Sequence, residues 1–422
     1  GEKVLDTNDP IYFFGLDNDG FITGAADKNL LGGKGANLSE MSNAGLPIPV
    51  GFTITTDVCN EYQAAADKND FMDDLYKDVV VAYEKLYDHL GYHPLLSVRS
   101  GARVSMPGMM DTVLNVGLTP ETEETWTARL GERTMLDCKR RLLQMAGDVV
   151  YGIPMEKFST KLDYVKSCKY GQKKLPESDS DMSVTHLKKL NEFYDKLYDP
   201  LTRSRVQHKD YQLLDAIEAV FKSWNTPRAI EYRKLNNIPD DWGTAVNVQV
   251  MVFGNMNDNS CSGVLFTRNP STGTPELTGE YLPNAQGEDV VAGIRTPIDL
   301  NEMKGSDPKM YAQIVEIAMK MEEHYNDMQD MEFTVEDGKL WFLQTRSGKR
   351  TPMAAVRIAV DMYKEGKLTL DALKCTVTYD QYKAASQPIL DPTQEIPPAD
   401  FKGTPAGGGV VKGVAATTSD IA

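Results

Sequence analysis

Residues 330–346 read DMEFTVEDGKLWFLQTR, and this stretch says more about the fold than any other part of the chain. Acidic and apolar side chains alternate before Asp337-Gly338, and polar and apolar side chains alternate again after it. A period of two is typical of strands that bury one face, and an Asp-Gly pair between two such runs is typical of a hairpin turn. The stretch therefore predicts a β-hairpin with one polar and one apolar face.

The length of the hairpin loop decides which polar side chains share a face, because a shift of one residue moves a strand's side chains to the other side of the sheet. A two-residue loop would put Glu332 and Gln344 on opposite faces. A three-residue loop that starts at Glu336 would place Gly338 at the position that needs left-handed geometry. The side chains that this longer loop brings to one face are Asp330, Glu332, Gln344 and Arg346.

With the three-residue loop, the hairpin has the chemistry of a metal and phosphate site. A carboxylate beside an amide oxygen suits Mg²⁺, a hard cation that prefers oxygen ligands and binds together with phosphate. We therefore expect Glu332 and Gln344 to bind Mg²⁺, and Arg346 to hold a transferring phosphoryl group. The alternative is an edge hairpin whose polar face is only solvated.

A glycine cluster near the N-terminus, LLGGKG at residues 30–35, precedes a run with helical spacing at 36–44. Bare backbone lets an anion approach, and a helix N-terminus offers free N–H groups to it. Lys34 would add a positive charge. The spacing differs from that of the P-loop, and a tight turn with a solvated lysine is the alternative.

A second candidate for phosphate binding is SVRSGARVSMPGMMDT at residues 97–112, which follows a predicted strand. Loops after strands are where α/β proteins bind ligands, and arginine grips phosphate oxygens through two parallel hydrogen bonds. Arg99 and Arg103, which flank Gly101, are the candidates for this contact. A surface turn with solvated arginines is the alternative.

Strand and helix patterns together predict an α/β (α+β) fold. The runs that predict strands are 11–16, 50–55, 95–98, 245–253 and 262–267, with a polar turn at 254–260 that would join the last two as a hairpin. Thr119-Pro120 and Thr226-Pro227 each predict a helix start by cap and proline. The run at 249–252 reads as core, or as a strand whose backbone contacts adenine. The polar segment around Glu280 suits ribose or a metal.

Composition excludes several classes of function. The chain has 422 residues and a formal net charge of −16, which argues against a nucleic-acid partner. No stretch approaches the roughly 18 apolar residues needed to span a bilayer, so we expect no membrane partner. The five cysteines include no CxxC pair, which predicts free thiols in a reducing compartment such as the cytoplasm. A plastid or another organelle stays open.

Six stretches together resemble the pyruvate phosphate dikinase family. They are LLGGKGANLSEM, SVRSGARVSMPGMMDT, SWNTPRAIEYRKLNNIPDDWGTAVNVQVMVFGN, TRNPSTG, NAQGEDVVAG and DMEFTVEDGKLWFLQTRSGKRT. The resemblance implies an ATP-grasp fold with an inserted helical subdomain and a C-terminal linker. The implied ranges are a first lobe at 1–118 and 204–244, a helical insert at 119–203, a second lobe at 245–350, linker helices at 351–402 and the start of a phosphohistidine domain at 403–422.

The resemblance also assigns roles to residues. The implied ATP-binding residues are Lys34, Arg99, Gln249, Met251, Val252, Glu280, Asp330, Glu332, Gln344 and Arg346, with Arg99 and Arg346 as catalytic residues and Mg²⁺ on Glu332 and Gln344. In such enzymes ATP gives its β-phosphoryl group to a histidine on a separate domain and its γ-phosphoryl group to inorganic phosphate.

The family's phosphohistidine segment is absent from this sequence, so we expect the chain alone not to complete turnover. The resemblance implies that the full-length enzyme is a homodimer. Two alternatives stay open. One is a nucleotide-binding module without catalysis, and the other is the nucleotide domain of a pyruvate, water dikinase-like phosphotransferase.

Overall fold

The structure is a computed structural model that describes residues 9–15, 27–106, 108–287, 290 and 296–386. Its contacts divide the chain into two units. The first unit comprises Gly1–Gly263, Leu282–Pro297 and Glu332–Gln344, and the second comprises Val264–Tyr281, Ile298–Met331 and Thr345–Ala422. Within the described residues, no helix is both long enough and apolar enough to cross a membrane.

Strands and helices are mixed along the chain, as the sequence predicts. The strands are β1 (Ile11–Phe14), β2 (Gly51–Ile54), β3 (Leu96–Gly101), β4 (Thr112–Val116), β5 (Ala245–Val250), β6 (Cys261–Phe266), β7 (Thr278–Pro283), β8 (Ile298–Asp299), β9 (Gln329–Glu336) and β10 (Lys339–Ser347). The helices are α1 (Lys28–Asn43), α2 (Thr56–Ala64), α3 (Lys68–Leu90), α4 (Glu123–Leu130), α5 (Glu132–Met145), α6 (Met155–Lys166), α7 (Val184–Asp195), α8 (Pro200–Val206), α9 (Lys209–Ser223), α10 (Pro227–Leu235), α11 (Met303–Ser306), α12 (Pro308–Tyr325), α13 (Pro352–Lys364), α14 (Leu370–Thr376) and α15 (Tyr379–Ala385).

The first unit contains a five-stranded sheet in the order β1-β2-β5-β3-β4, with antiparallel neighbours. Its central strand, β5, has the sequence AVNVQV and is buried along its whole length. Alternating valines give β5 the branched side chains that pack well in a sheet covered on both faces. Helices α2, α3 and α9 contribute to the same hydrophobic core as this sheet.

The predicted hairpin between 245–253 and 262–267 is wrong. β5 pairs with β2 and β3 in the first sheet, whereas β6 belongs to a second sheet in the order β10-β9-β6-β7-β8. The turn between them carries the chain from one sheet to the other, a connection that strand patterning alone does not distinguish from a hairpin. The predicted second lobe begins at 245 and so includes β5. The strands that pair with β5, which are β2 and β3, lie before residue 245.

Helices α4 to α7 lie within the range predicted as a helical insert. α5 packs against α7 and β4, and Leu136, Leu142, Leu187 and Leu190 bury this contact. The predicted cap at Thr119 is wrong, because α4 begins at Glu123. The Thr122 hydroxyl instead donates to the carbonyl of Gly117 at 2.8 Å.

The cap at Thr226 is confirmed, since its hydroxyl accepts from Ala229 N–H and Pro227 opens α10.

In the second unit, the Arg268 side chain is 2% exposed and forms hydrogen bonds with both Glu322 and Glu365. These bonds connect the end of β6 with α12 and with the residue that follows α13. Helices α13 to α15 fall in the predicted linker, and residues 387–422 lie outside the described part of the chain.

The hairpin of β9 and β10 has a two-residue loop. β9 ends at Glu336 and β10 begins at Lys339, with φ of 46° at Asp337 and 78° at Gly338. The predicted three-residue loop is therefore wrong. Aspartate tolerates the left-handed conformation, so Asp337 and Gly338 can form the turn together.

Candidate functional site

The first unit holds a cavity of about 420 Å³. It lies against the ends of β3, β4 and β5, with α5 on one side. Residues of the β9–β10 hairpin that belong to the same unit complete the wall. Half-enclosed cavities of this size with a few polar groups are typical of small-molecule sites.

Arg99, a predicted catalytic residue, lines this cavity from β3. It lies opposite Thr112 of β4 and Asn247 of β5, so two strand ladders fix its backbone. Its Nε atom is buried and has no hydrogen-bond partner among the described residues. A buried guanidinium N–H without an acceptor costs free energy, and an anionic ligand would remove that cost.

Two more polar atoms in the wall of the cavity lack partners within the described part of the chain. They are the side-chain oxygens of Asn115, at the end of β4, and Asn255, after β5. Together with Arg99 they offer one cationic donor and two amide acceptors to a bound molecule. Sequence reasoning missed both asparagines. A polar residue inside the otherwise apolar run of β4 could have indicated the first.

The apolar part of the wall is formed by Leu114, Val250, Met251 and Val252. The predicted adenine-contacting residues therefore line the cavity, including Gln249. The Gln249 side chain is already hydrogen-bonded within the protein, because its amide donates to the carbonyl of Pro49 at 3.1 Å. What this run offers a ligand is apolar side-chain surface.

Asp137 and Arg141 of α5 also line the cavity and were not predicted as site residues. They are four residues apart, so they share a face of the helix, and Arg141 Nε donates to Asp137 at 3.0 Å. Burial opposes ionisation of Asp137, but Arg140 and Arg141 outweigh it and hold its pKa below the ordinary value. The carboxylate therefore stays charged, and the pair adds fixed charges to this side of the cavity.

Glu332, a predicted Mg²⁺ ligand, lines the cavity together with Thr334 and Leu343. Gln344, the other predicted ligand, follows Leu343 directly and is not among the lining residues. The rings of Phe333 and Phe342 lie 6.4 Å apart, as expected when a two-residue loop puts them on one face. Near the turn, the faces therefore differ from those of the three-residue register.

The glycine cluster with Lys34 is built differently from the prediction. The helix begins at Lys28, before the glycines, and bends at Gly32, where φ is 66°. Gly33 N–H donates to the carbonyl of Ala102 at 2.8 Å, and a Cβ on Gly32 would lie 1.8 Å from the Gly101 oxygen. The glycines thus allow α1 to pack closely against residues 101–102. Lys34 follows this contact.

Three further predicted residues lie in the second unit. Arg346 Nε donates to Asp330 at 2.7 Å, with the Arg346 side chain 56% exposed and that of Asp330 10% exposed. Glu280 is exposed on β7, opposite Asp299 of β8. Within the described residues, no group of three or more His, Cys, Asp or Glu side chains is placed to hold a metal ion.

Sequence comparison identifies the family. Residues 28–78, 63–309 and 298–367 match the sequence model of the pyruvate phosphate dikinase AMP/ATP-binding domain. The chain belongs to this family. The match covers α1, β3, β5, α5 and the β9–β10 hairpin, which are the elements that form the cavity wall or carry the predicted phosphate-binding residues.

Full-length relatives are similar over most of this chain. Pyruvate, phosphate dikinase of Clostridium symbiosum is 47% identical over 353 residues, which are 82% of this chain and 40% of that protein. The chloroplastic enzyme of Arabidopsis thaliana is 46% identical over 404 residues, covering 94% and 41%. The Rhizobium meliloti enzyme is 44% identical over 402 residues, covering 90% and 44%. The chain thus spans less than half the length of these relatives.

Proposed function

We propose that the cavity of the first unit binds ATP and that the chain supplies the nucleotide site of a pyruvate phosphate dikinase. The buried, unpartnered Nε of Arg99 beside the apolar wall at Val250 and Met251 supports this most strongly. An apolar wall suits a purine ring, and a guanidinium with a buried, unpaired N–H suits a phosphate chain. Membership of a family named for AMP/ATP binding points to the same ligand.

In this role the chain orients and neutralises ATP phosphates, and other domains accept them. Phosphoryl transfer depends mainly on positioning and on neutralising charge, so an arginine held by two strand ladders is well suited to it. Arg99 binds the phosphate chain, and Lys34 of the same unit adds positive charge to it. Arg346 stays a candidate phosphate-binding residue of the second unit. The β-phosphoryl group passes to a histidine of a separate domain, and the γ-phosphoryl group passes to inorganic phosphate.

Mg²⁺ enters this site together with ATP. Protein sites for Mg²⁺ usually supply one or two carboxylates and leave the other positions to phosphate oxygens and water. Glu332 is the carboxylate of the hairpin that lines the cavity, and its chemistry fits that requirement. Gln344 is the second proposed ligand on the strength of the family resemblance. The contacts of Gln329 with Thr345 and of Asp330 with Arg346 support it, because away from the turn they bring even-numbered residues of both strands to one face. The ion would screen the negative charge of the phosphates.

Calorimetric titration with ATP, with and without Mg²⁺, tests the proposal. We expect saturable binding that Arg99→Gln weakens by about tenfold or more, since a charge-assisted hydrogen bond is lost. Arg228→Gln is the matched control, because Arg228 is exposed and does not line the cavity. If both variants bind ATP as the unaltered chain does, the cavity is not the phosphate site.

A second experiment separates the dikinase from its alternatives. A phosphohistidine domain from a relative is added, and phosphorylation of its histidine by ATP is followed with and without inorganic phosphate. Formation of AMP, a phosphorylated histidine and pyrophosphate, the last from the γ-phosphoryl group and added phosphate, supports the proposal. Release of the γ-phosphoryl group to water as inorganic phosphate favours a water dikinase-like enzyme, and ATP binding without any transfer favours a noncatalytic nucleotide module. Relatives named as chloroplastic and relatives from bacteria are both in keeping with a plastid or cytoplasmic location.

A further inference from the structure

The amide of Asn115 lies in the wall of the cavity and has no part in the proposed phosphate chemistry. The residue is 3% exposed and adopts a left-handed conformation with φ of 61°. Its neighbours Leu114 and Val116 are apolar, so a polar side chain is costly at this position unless it is hydrogen-bonded. The side chain therefore needs an explanation.

One hydrogen bond fixes how this amide is oriented, and a second one holds the backbone of the residue. The Asn115 Nδ2 group donates to the carbonyl of Cys138 at 3.3 Å, and its backbone N–H donates to Sδ of Met251 at 3.0 Å. A flip of the amide would turn Oδ1 towards the Cys138 carbonyl, where two acceptors would face each other. The orientation with Oδ1 directed elsewhere is therefore favoured.

The Oδ1 atom is then a buried acceptor without a donor within the described part of the chain. Leaving such an atom unsatisfied costs about 1–3 kcal/mol. Because Asn115 lines the cavity, a ligand that brings an N–H or O–H group to this atom would remove that cost. The amide is thus set to recognise a donor on the ligand.

Strand register shows which part of a nucleotide reaches Asn115. Arg99 lies opposite Thr112 on β4 and Asn247 on β5, and both of these strands run antiparallel to β3. A register shift in β4 precedes Asn115, so the position is better taken from β3. Val116 and Val250 both lie opposite Leu96, three residues from Arg99. Asn115 and Met251 are next to these two residues, so at about 3.3 Å per residue of β3 both lie on the order of 10 Å from the level of Arg99.

This distance is comparable with the length of a nucleoside triphosphate. With the phosphates on Arg99, the base would reach the apolar wall at Met251, beside the Asn115 amide. Adenine carries an exocyclic 6-amino group, which is a donor. A 6-oxo purine carries a carbonyl oxygen at the same position, which would face Oδ1 acceptor to acceptor and leave both unsatisfied.

We infer that Asn115 Oδ1 accepts a hydrogen bond from the 6-amino group of the base, and that this bond selects adenine nucleotides over 6-oxo purine nucleotides. The inference rests on the proposed function, because it takes the cavity to be the nucleotide site. Asn115 is then a specificity-determining residue that touches the base and takes no part in phosphoryl transfer.

The test compares the affinities of ATP, ITP and purine riboside triphosphate by calorimetry. Purine riboside triphosphate lacks only the 6-amino group, so the unaltered chain suffices for the first measurement. We expect ATP to bind about tenfold tighter than either analogue, the worth of one well-formed hydrogen bond. Asn115→Gly keeps the left-handed backbone accessible and removes the amide, so it should lower the preference to about twofold or less.

Asn237→Gly is the matched control, because Asn237 also has a left-handed φ, 53°, but is exposed and does not line the cavity. It should leave the preference for ATP unchanged. An equal loss of ATP and ITP affinity in Asn115→Gly would mean a contact with ribose or a purely structural role, and would overturn the inference. An unchanged preference in that variant would overturn it too, while ATP binding would still support the proposed function. Absence of ATP binding to the unaltered chain would instead overturn the proposed function, and the inference with it.

Discussion

Arg140 and Asp137 form a buried ion pair within α5, with Nε of the arginine 2.7 Å from the carboxylate and both side chains less than one-tenth exposed. The same carboxylate accepts from Arg141 and lines the cavity, so a structural ion pair also forms part of the candidate site. This contact holds α5 together on the side where it covers β4. A change at Asp137 would therefore affect both the stability of α5 and the proposed ligand site.

Asp137→Asn should destabilise the first unit strongly at neutral pH. Removing one partner of a buried pair leaves the other charge without full compensation, which costs about 3 kcal/mol. Denaturant unfolding followed by circular dichroism measures the change. Asp74→Asn is the control, because Asp74 pairs with Lys77 on an exposed face of α3 and such pairs contribute little. Similar midpoints for the two variants would show that burial adds nothing to the Asp137 interaction.

Gly32→Ala should destabilise the chain more than another glycine substitution with the same backbone strain. A Cβ at Gly32 would overlap the Gly101 carbonyl, whereas Gly131, whose φ of 80° and ψ of 153° are close to the 66° and 175° of Gly32, has open space around it. Gly131→Ala should cost about 1–3 kcal/mol from strain alone, and Gly32→Ala about 2 kcal/mol more. Chemical denaturation compares them directly. Equal costs would mean that the contact between α1 and residues 101–102 is not tight.

The same glycine shows what sequence patterning could and could not establish. Apolar runs and caps predicted β2, β3 and α10 correctly, because alternation and a Thr-Pro start act locally. The glycine cluster predicts an anion site from its local pattern alone, because its packing partners, Gly101 and Ala102, lie some 70 residues away in the chain. Close backbone approach between distant segments leaves no periodic pattern in either one.

The predicted loop length of the β9–β10 hairpin is wrong for a different reason. Both loop lengths fit the alternation of polar and apolar residues, and the choice depended on whether Asp337 accepts a positive φ. Asp137, Arg141 and Asn115 were missed because one helical pair and one polar residue within a strand are common features of cores and surfaces alike. Only their shared cavity distinguishes them from such features.

Glu365 should give the second unit a stability that disappears in acid. Hydrogen bonds from Arg268 lower the pKa of Glu365 to about 2 from an ordinary 4.5. A carboxyl group whose pKa is depressed on folding stabilises the native state above the unfolded pKa and loses that effect as the pH falls through the folded pKa. The contribution of Glu365 to stability is therefore complete above pH 4.5 and is lost as the pH falls from 4.5 to about 2.

Thermal unfolding across this pH range tests the claim with Glu365→Gln. We expect the variant to melt below the unaltered chain at neutral pH, and the difference to shrink as the pH falls. Glu323→Gln, on an exposed position of α12, should follow the unaltered chain at every pH. A difference that is constant with pH would show that Glu365 acts through packing and not through its charge.

Glu332→Gln should weaken ATP binding only when Mg²⁺ is present. The glutamine keeps the shape of the side chain but loses the charge that a hard cation prefers, so affinity for the Mg²⁺ complex should fall about tenfold. Metal-free ATP should bind as well or slightly better, because a negative charge near the phosphates has been removed. Calorimetric titrations with Mg²⁺ or with a chelator provide the two affinities, and Glu121→Gln, exposed before α4, is the control. Equal weakening in both conditions would assign Glu332 to the nucleotide itself, since a metal ligand has nothing to bind when the metal is absent.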